Sequence, residues 1–293
     1  MDDRIKYLVI SPAKDESGYI RHTIRSVIQQ SVRPVKWVIV DDGSVDGTAD
    51  IVERNAKACP WIQLMRTGRS AGRDLGCAEV LAFNLAYEAS KDMEYEFIVK
   101  LDCDVKLETH YFKTILNRMV SRKDLGIASG RYLEICRGQW RPVPMPDYHA
   151  AGASKVVRRT CFEEIGGFVP KKGWDTLDEI RAQMRGWQTT HFKDVEFLHL
   201  KPEGSAMGRV QSFAFLGEIY YLTGGGFVFF LLKVIHKCFC SRPMFAGALK
   251  MLVGYLRART SGQERLVTES EAKFYRNMLV GRIFSSVGLQ RRR

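Results

Sequence analysis

Long hydrophobic runs are missing from this sequence of 293 residues. The apolar run Phe227–Leu232, which follows three glycines, falls short of the ~20 residues that a bilayer-spanning helix needs. Met1-Asp2-Asp3-Arg4 leads into only a few apolar residues, too few for the core of a secretory signal. The chain is therefore expected to stay where it is made. Its seven cysteines are odd in number and irregularly spaced, which argues against a disulfide framework. Cys238 and Cys240 have no second pair nearby to complete a zinc site, so a reducing cytoplasm is the expected compartment. Internal repeats and low-complexity stretches are also absent. Hydrophobic residues reach 45%, enough apolar surface to offset chain entropy, so disorder is excluded as the main state.

Acidic residues are what the end of the chain lacks. Residues 205–293 hold 14 Lys+Arg against 4 Asp+Glu, so +10 of the formal +12 lies there. The first 204 residues carry only +2. This contrast predicts a domain over residues 1–204 followed by a basic, amphipathic, helical extension over 205–293. In residues 224–237, and again in 244–259, cations alternate with large apolar residues at helical spacing. That pattern suits helices lying in a membrane interface, with Tyr220 and Tyr221 at headgroup level. It also fits ordinary helices that cover the preceding domain. A net positive charge calls for an anionic partner. Nucleic acid is not the expected one, because no recognisable module or aromatic platform accompanies the charge.

Over residues 5–134 short apolar runs alternate with helical patterns in the manner of βαβ units, and proline is nearly absent inside these runs. Strands are predicted over residues 5–11, 36–40, 61–65, 97–101 and 125–134. Helices are predicted over 19–30, 46–58, 75–89 and 110–121. Prolines cluster at 142, 144 and 146, which reads as a connection. Open α/β sheets bind ligands at the carboxyl ends of their strands. Polar clusters fall there: residues 12–16, Asp41-Asp42-Gly43-Ser44 and Asp102-Cys103-Asp104. Alternation in an extended chain puts Asp102 and Asp104 on one side, where both can approach one hard cation such as Mg²⁺ or Mn²⁺ on a diphosphate. An Asx turn at a strand end is the plain alternative. Gly43 permits a tight turn and Ser44 or Asp46 can cap the next helix. Neither role accounts for the Asp41-Asp42 pair, which suits a ribose hydroxyl or a base N–H.

Ile10-Ser11-Pro12-Ala13-Lys14-Asp15-Glu16, residues 26–31 and Val40-Asp41-Asp42-Gly43-Ser44-Val45-Asp46-Gly47-Thr48 together resemble the opening of a family 2 glycosyltransferase. Asp102-x-Asp104 resembles that family's metal-binding Asp-x-Asp. Gly166-Gly167-Phe168, Trp174-Asp175 and Gly186-Trp187 resemble its acceptor-side segment, so the likeness covers roughly residues 5–200. The resemblance implies an α/β GT-A fold and an inverting transfer from a UDP- or GDP-sugar, with Mn²⁺ or Mg²⁺. It places Pro12, Asp15, Glu16 and Asp42 around the nucleotide and Arg73 on the phosphate side. Asp102 would meet ribose or metal, Asp104 would be the main metal ligand, and His199 would lie near the metal. His199 ending a strand as a core residue is the bland alternative. Trp174 stands where the family usually has Glu, which leaves Asp175, Asp178 and Glu179 as candidates for the base. Cys103 is expected to pack on the opposite side.

The resemblance further implies a glycan or lipid-linked acceptor. With the basic extension it points to peripheral membrane contact at the inner face of the plasma membrane. A sugar-phosphate nucleotidyltransferase is disfavoured, since no Gly-rich loop carrying Arg follows the first strand. A non-catalytic scaffold is disfavoured by the intact acidic motifs.

Overall fold

Strand β1 (Tyr7–Ala13) runs parallel to β2 (Lys36–Asp41) on one side and β4 (Phe97–Leu101) on the other, and β3 (Ile62–Arg66) extends the parallel set beyond β2. Strands β1, β2 and β4 are mostly apolar because both their faces are covered, while the edge strand β3 is partly exposed and carries Gln63 and Arg66. Alternate residues of β1 separate cleanly: Tyr7 and Val9 enter one core, Leu8 and Ile10 the other. The first core is closed by α1 (Ile20–Ile28), α2 (Thr48–Ala58) and α4 (Tyr111–Ser121). Helix α1 turns Ile20, Ile24 and Val27 inward at i, i+4, i+7, and α4 does so with Tyr111, Phe112, Ile115, Leu116 and Met119. The second core takes α3 (Ala78–Glu88), α5 (Arg159–Glu164) and α6 (Trp174–Met184).

The computed structural model describes residues 5–68, 77–202, 208–240 and 245–286. Five further strands complete the sheet: β5 (Val105–Leu107), β6 (Leu125–Cys136), β7 (Gln139–Pro142), β8 (Ser154–Arg158) and β9 (Gln188–His199). The order is β3-β2-β1-β4-β8-β6-β9-β5, with β7 paired to β6. Strand β8 is antiparallel to β4, and β5 is antiparallel to β9. The expected first strand begins two residues later than predicted. Proline 142 lies at the end of β7 and not in a bare connection, and the start of the predicted helix at 75 lies outside the described residues. A register shift between Gly130 and Arg131 lets β9 slip several residues against β6. Glycine is required there, since a Cβ on Gly130 would stand 2.5 Å from Val195 O and 2.6 Å from the Tyr111 ring.

The chain divides into two compact units, Met1–Pro202 and Glu203–Arg293. The second is helical: α7 (Arg209–Leu222), α8 (Phe227–Cys240), α9 (Ala246–Thr260) and α10 (Glu269–Ser286). Helices α7 and α9 cross in backbone contact. Added Cβ atoms at Gly217 and Gly254 would lie 1.9 Å from Met251 O and 2.0 Å from Ala214 O. Tyr220 corrects one expectation: it is buried, with its hydroxyl donating to Gly225 O at 2.9 Å. Among the described residues, no helix is long and apolar enough to cross a membrane.

Candidate active site

The sheet reverses its order of construction between β1 and β4, the place where open α/β sheets leave a crevice at their carboxyl ends. Cys103 marks the junction, packing in the interior with its Sγ 3.5 Å from Pro12 O. The loop after β1 is zipped to the loop after β2. Asp15 N donates to Ser44 Oγ, Val45 N to Asp15 Oδ1 and Ser17 N to Asp46 Oδ2, each at 2.9 Å, and Glu16 N donates to Thr48 Oγ1 at 2.8 Å. Burial opposes ionisation of Asp46, but hydrogen bonds from Thr48 and Ser17 hold its carboxyl down to about 2. Asp15 tolerates a left-handed φ of 53° within this zipper. Ser44, Val45, Asp46 and Thr48 thus have a structural task that the sequence did not announce: they fasten the loop after β2 to the loop after β1.

This arrangement separates the expected nucleotide residues. Pro12 lies at the carboxyl end of β1, and Asp42 follows β2 with Oδ1 accepting from Thr67 Oγ1 at 2.6 Å. The Asp15 carboxylate is spent on Val45, and buried Glu16 pairs with Lys201 Nζ at 2.9 Å, so both brace the loop. Arg73 lies outside the described residues.

Beyond β4, Asp102, Asp104 and His199 come together, with one possible ligand atom from each lying within 4.8 Å of the others. Asp102 and Asp104 are close in sequence; His199 arrives through pairing of β5 with β9, which sets Val105 opposite His199 and lets Leu200 N donate to Asp104 O at 2.8 Å. Buried Asp104 Oδ1 stands 3.5 Å from His199 Nε2 and accepts no hydrogen bond. A buried carboxylate oxygen without a donor is costly, and a hard cation would satisfy it. His199 Nδ1 is 2.9 Å from Glu134 Oε1, which suits donation from Nδ1 and leaves Nε2 for the acidic pair. Burial opposes a charge on this ring, yet Asp104 and Glu134 together raise it to about 10. A cation would compete with that proton. The donor set of two carboxylates and an imidazole therefore fits Mn²⁺ or Mg²⁺.

Behind Asp102 lies a chain of buried charges. Lys100, almost fully buried, donates to Asp102 Oδ1 at 2.5 Å and to Glu79 Oε2 at 3.1 Å. Burial raises the Asp102 carboxyl to about 6; Lys100 opposes this while the charges of Glu79 and Asp104 add to it. Trp174 donates its indole N–H to Glu79 Oε1 at 2.9 Å, and its ring lies 5.3 Å from Lys100 Nζ and 5.1 Å from Lys155 Nζ. The indole is within cation–π range of both ammonium groups, which stand opposite each other on β4 and β8, and this contact favours Trp174 at a position where Glu was expected.

Lys155 is fully buried and donates to both oxygens of Asp178 at 2.9 and 3.1 Å, and to Asp175 O at 3.0 Å. Glu179 accepts from Ala150 N at 2.7 Å and lies 3.0 Å from His149 Nδ1. Asp178 and Glu179 are thus interior anchors of α6, both almost wholly shielded from solvent. A hydroxyl from outside has no route to either, which argues against them as the base. Asp175, in the first turn of α6, is partly exposed. A Cβ placed on Gly152 would lie 3.9 Å from Asp175 Cβ, and the adjacent Ala153 O accepts Asp102 N at 2.8 Å. The segment before β8 therefore links Asp175 to the acidic pair. Sequence reasoning missed Glu134, Glu79, Lys100 and Lys155. Of these, Lys100 carried a usable signal, since it interrupts the otherwise apolar strand β4.

A nucleotide-type crevice at the switch point, with an Asp-x-Asp and a histidine at one rim, defines a GT-A fold. The profile described as "Glycosyl transferase family 2" matches residues 8–174, and the chain belongs to that family. The chain is 24% identical over 188 residues to the cholesterol galactosyltransferase of Borreliella burgdorferi, covering 60% of this chain and 49% of that protein. It is 32% identical over 81 residues to the minor teichoic acid biosynthesis protein GgaA of Bacillus subtilis, covering 25% of this chain and 18% of the other. The chain thus spans half or less of the length of these relatives. Among solved structures, the mannosyltransferase PcManGT of Pyrobaculum calidifontis, in complex with GDP-Man and Mn²⁺, superposes with a TM-score of 0.57 at 18% identity, covering 98% of this chain and 88% of that one. S. aureus TarS 1–349 with UDP-GlcNAc gives 0.56 at 19% identity, covering 97% and 82%.

Proposed function

We propose that this chain transfers a sugar from a UDP- or GDP-sugar to a hydroxyl of a cell-envelope or lipid-linked glycan, with inversion at the anomeric carbon. The observation that carries this reading is the convergence of Asp102, Asp104 and His199 at the carboxyl rim, with Asp175 linked to them through Gly152 and Ala153. The nucleotide complexes of the two solved relatives support the donor class. The names of the two curated relatives support a lipid or envelope acceptor.

In this scheme Pro12 and Asp42 flank the base and ribose. Asp102, Asp104 and His199 would hold Mn²⁺ or Mg²⁺, which when bound offsets the charge of the leaving diphosphate. Asp175 takes the proton of the acceptor hydroxyl. The oxygen then forms its bond to the anomeric carbon while the bond to the nucleoside diphosphate breaks, and that product leaves with the electron pair. No covalent intermediate on the protein is needed. Residues 1–204 act as the catalytic domain, and the basic extension over 205–293 contacts the inner face of a membrane peripherally.

Melting of the full chain tests this reading. UDP or GDP with Mn²⁺ is expected to raise the Tm, and Asp104→Ala to abolish that rise; a Tm indifferent to every nucleoside diphosphate would sink the reading. Glu134→Ala is expected to weaken Mn²⁺ binding about 10–100-fold by loosening His199. Isothermal titration with Mn²⁺ measures this, and unchanged affinity would remove Glu134 from the metal's support.

A further inference from the structure

Within Glu203–Arg293, helix α8 buries Phe230 and Val234 and turns Val228, Leu231, Leu232 and Ile235 to solvent. Val228 is 76% exposed. Helix α9 does likewise with Leu249, Val253 and Leu256, spaced four and three apart on one stripe, Leu249 being 62% exposed. Lys250 and Arg257 each follow a stripe residue by one position and so border its edge, while Arg259 lies toward the other. Neither α8 nor α9 contains an acidic residue. Lys233 turns inward on α8, its ammonium 5.4 Å from the Tyr220 ring, and burial together with the charges of Lys237 and Arg282 lowers it to about 8. The exposed cations Lys250, Arg257 and Arg259 therefore border exposed apolar surface with no acidic residue on either helix to offset them.

Two occupants compete for such a face, a second copy of the chain and a lipid surface. A second copy would set these cations against identical cations across a twofold axis. An anionic bilayer offers hydrocarbon to the stripes and phosphate to their borders at once. At 14 residues, α8 is about 21 Å long, too short to span the ~30 Å hydrocarbon layer but suited to lying flat at its boundary.

We propose that the outward stripes of α8 and α9 insert at the headgroup–acyl boundary of an anionic bilayer, with Lys250, Arg257 and Arg259 meeting lipid phosphate. This rests on the peripheral membrane contact proposed above and adds the surface and the lipid chemistry.

The experiment is flotation of the full chain with phosphatidylcholine vesicles, with and without phosphatidylglycerol. Wild type is expected to float with the anionic vesicles only. Val228→Asp/Leu249→Asp should reduce the partition coefficient tenfold or more, since two apolar side chains lose their burial. Lys250→Gln/Arg257→Gln should reduce it roughly tenfold or more on anionic vesicles, at about 1 kcal/mol per cation. Wild-type flotation retained by the Val228→Asp/Leu249→Asp variant would keep membrane contact but overturn this face. Equal flotation with neutral vesicles would overturn the lipid chemistry. Absence of flotation, with a dimer in sedimentation velocity that the same variant splits, would assign the face to a second copy. Nucleoside diphosphate melting shifts, read on the same samples, should be unchanged in every variant. Their absence in wild type would count against the catalytic reading and leave the membrane result standing.

Discussion

Replacing Asp175 by Asn is expected to lower kcat about 10²–10⁴-fold while leaving the affinity for UDP or GDP with Mn²⁺ within a few-fold of wild type. The substitution keeps the shape of the side chain and removes its capacity to accept a proton. Nucleotide affinity should persist because Asp175 is not among the residues at the carboxyl ends of β1, β2 and β4. Its main chain is held by Lys155 Nζ at 3.0 Å, and its helix starts after Gly173 in a left-handed conformation (φ 84°). The carboxylate therefore stands on a rigid helix start, the kind of support a positioned base requires. Asp178→Asn should instead lower stability, because Asp178 faces Lys155 in the interior. The measurement is steady-state transfer with a nucleotide-binding titration on the same samples. Wild-type turnover by Asp175→Asn would remove it from the base role.

The second large effect concerns stability. Lys155→Met is expected to cost about 3–5 kcal/mol, because Asp178 and Glu179 would be left buried without their cation. For a unit of this size that corresponds to a fall of roughly 6–20 °C in Tm. Burial already raises the Asp178 carboxyl to about 7 despite the lysine, and losing Lys155 would push it higher. The double change Lys155→Met/Asp178→Leu should recover part of the loss, since it removes both members of the pair. Thermal and urea denaturation of the three chains would decide it. An unchanged midpoint for Lys155→Met would show that the network is not what anchors α6.

Much of this architecture was legible in the sequence. The parallel strands around Val9, Ile39 and Val99 were readable because burial on both faces requires unbroken apolar runs. The acidic strand ends were readable because Asp102-x-Asp104 and Asp41-Asp42 are local patterns. Strands β8 and β9 were not, since each carries charged residues whose partners lie far away in the chain. Lys155 looks like a surface residue until Asp178 is brought to 2.9 Å. Glu16 and Asp15 could not be separated from Asp42 by type, because the zipper that engages Asp15 runs between two loops 30 residues apart.

By itself the sequence determined the family, the alternation of strands and helices, the shortness of its apolar runs and the concentration of positive charge after residue 204. Each of these depends on residue type and short-range periodicity. Only the tertiary structure decided that His199 joins Asp102 and Asp104, that Glu134 braces it, and that Asp175 faces out while Asp178 and Glu179 are anchored within. The cause is strand register. The shift at Gly130 and the pairing of Val105 with His199 are set by packing between segments about 60–95 residues apart, which no local pattern encodes.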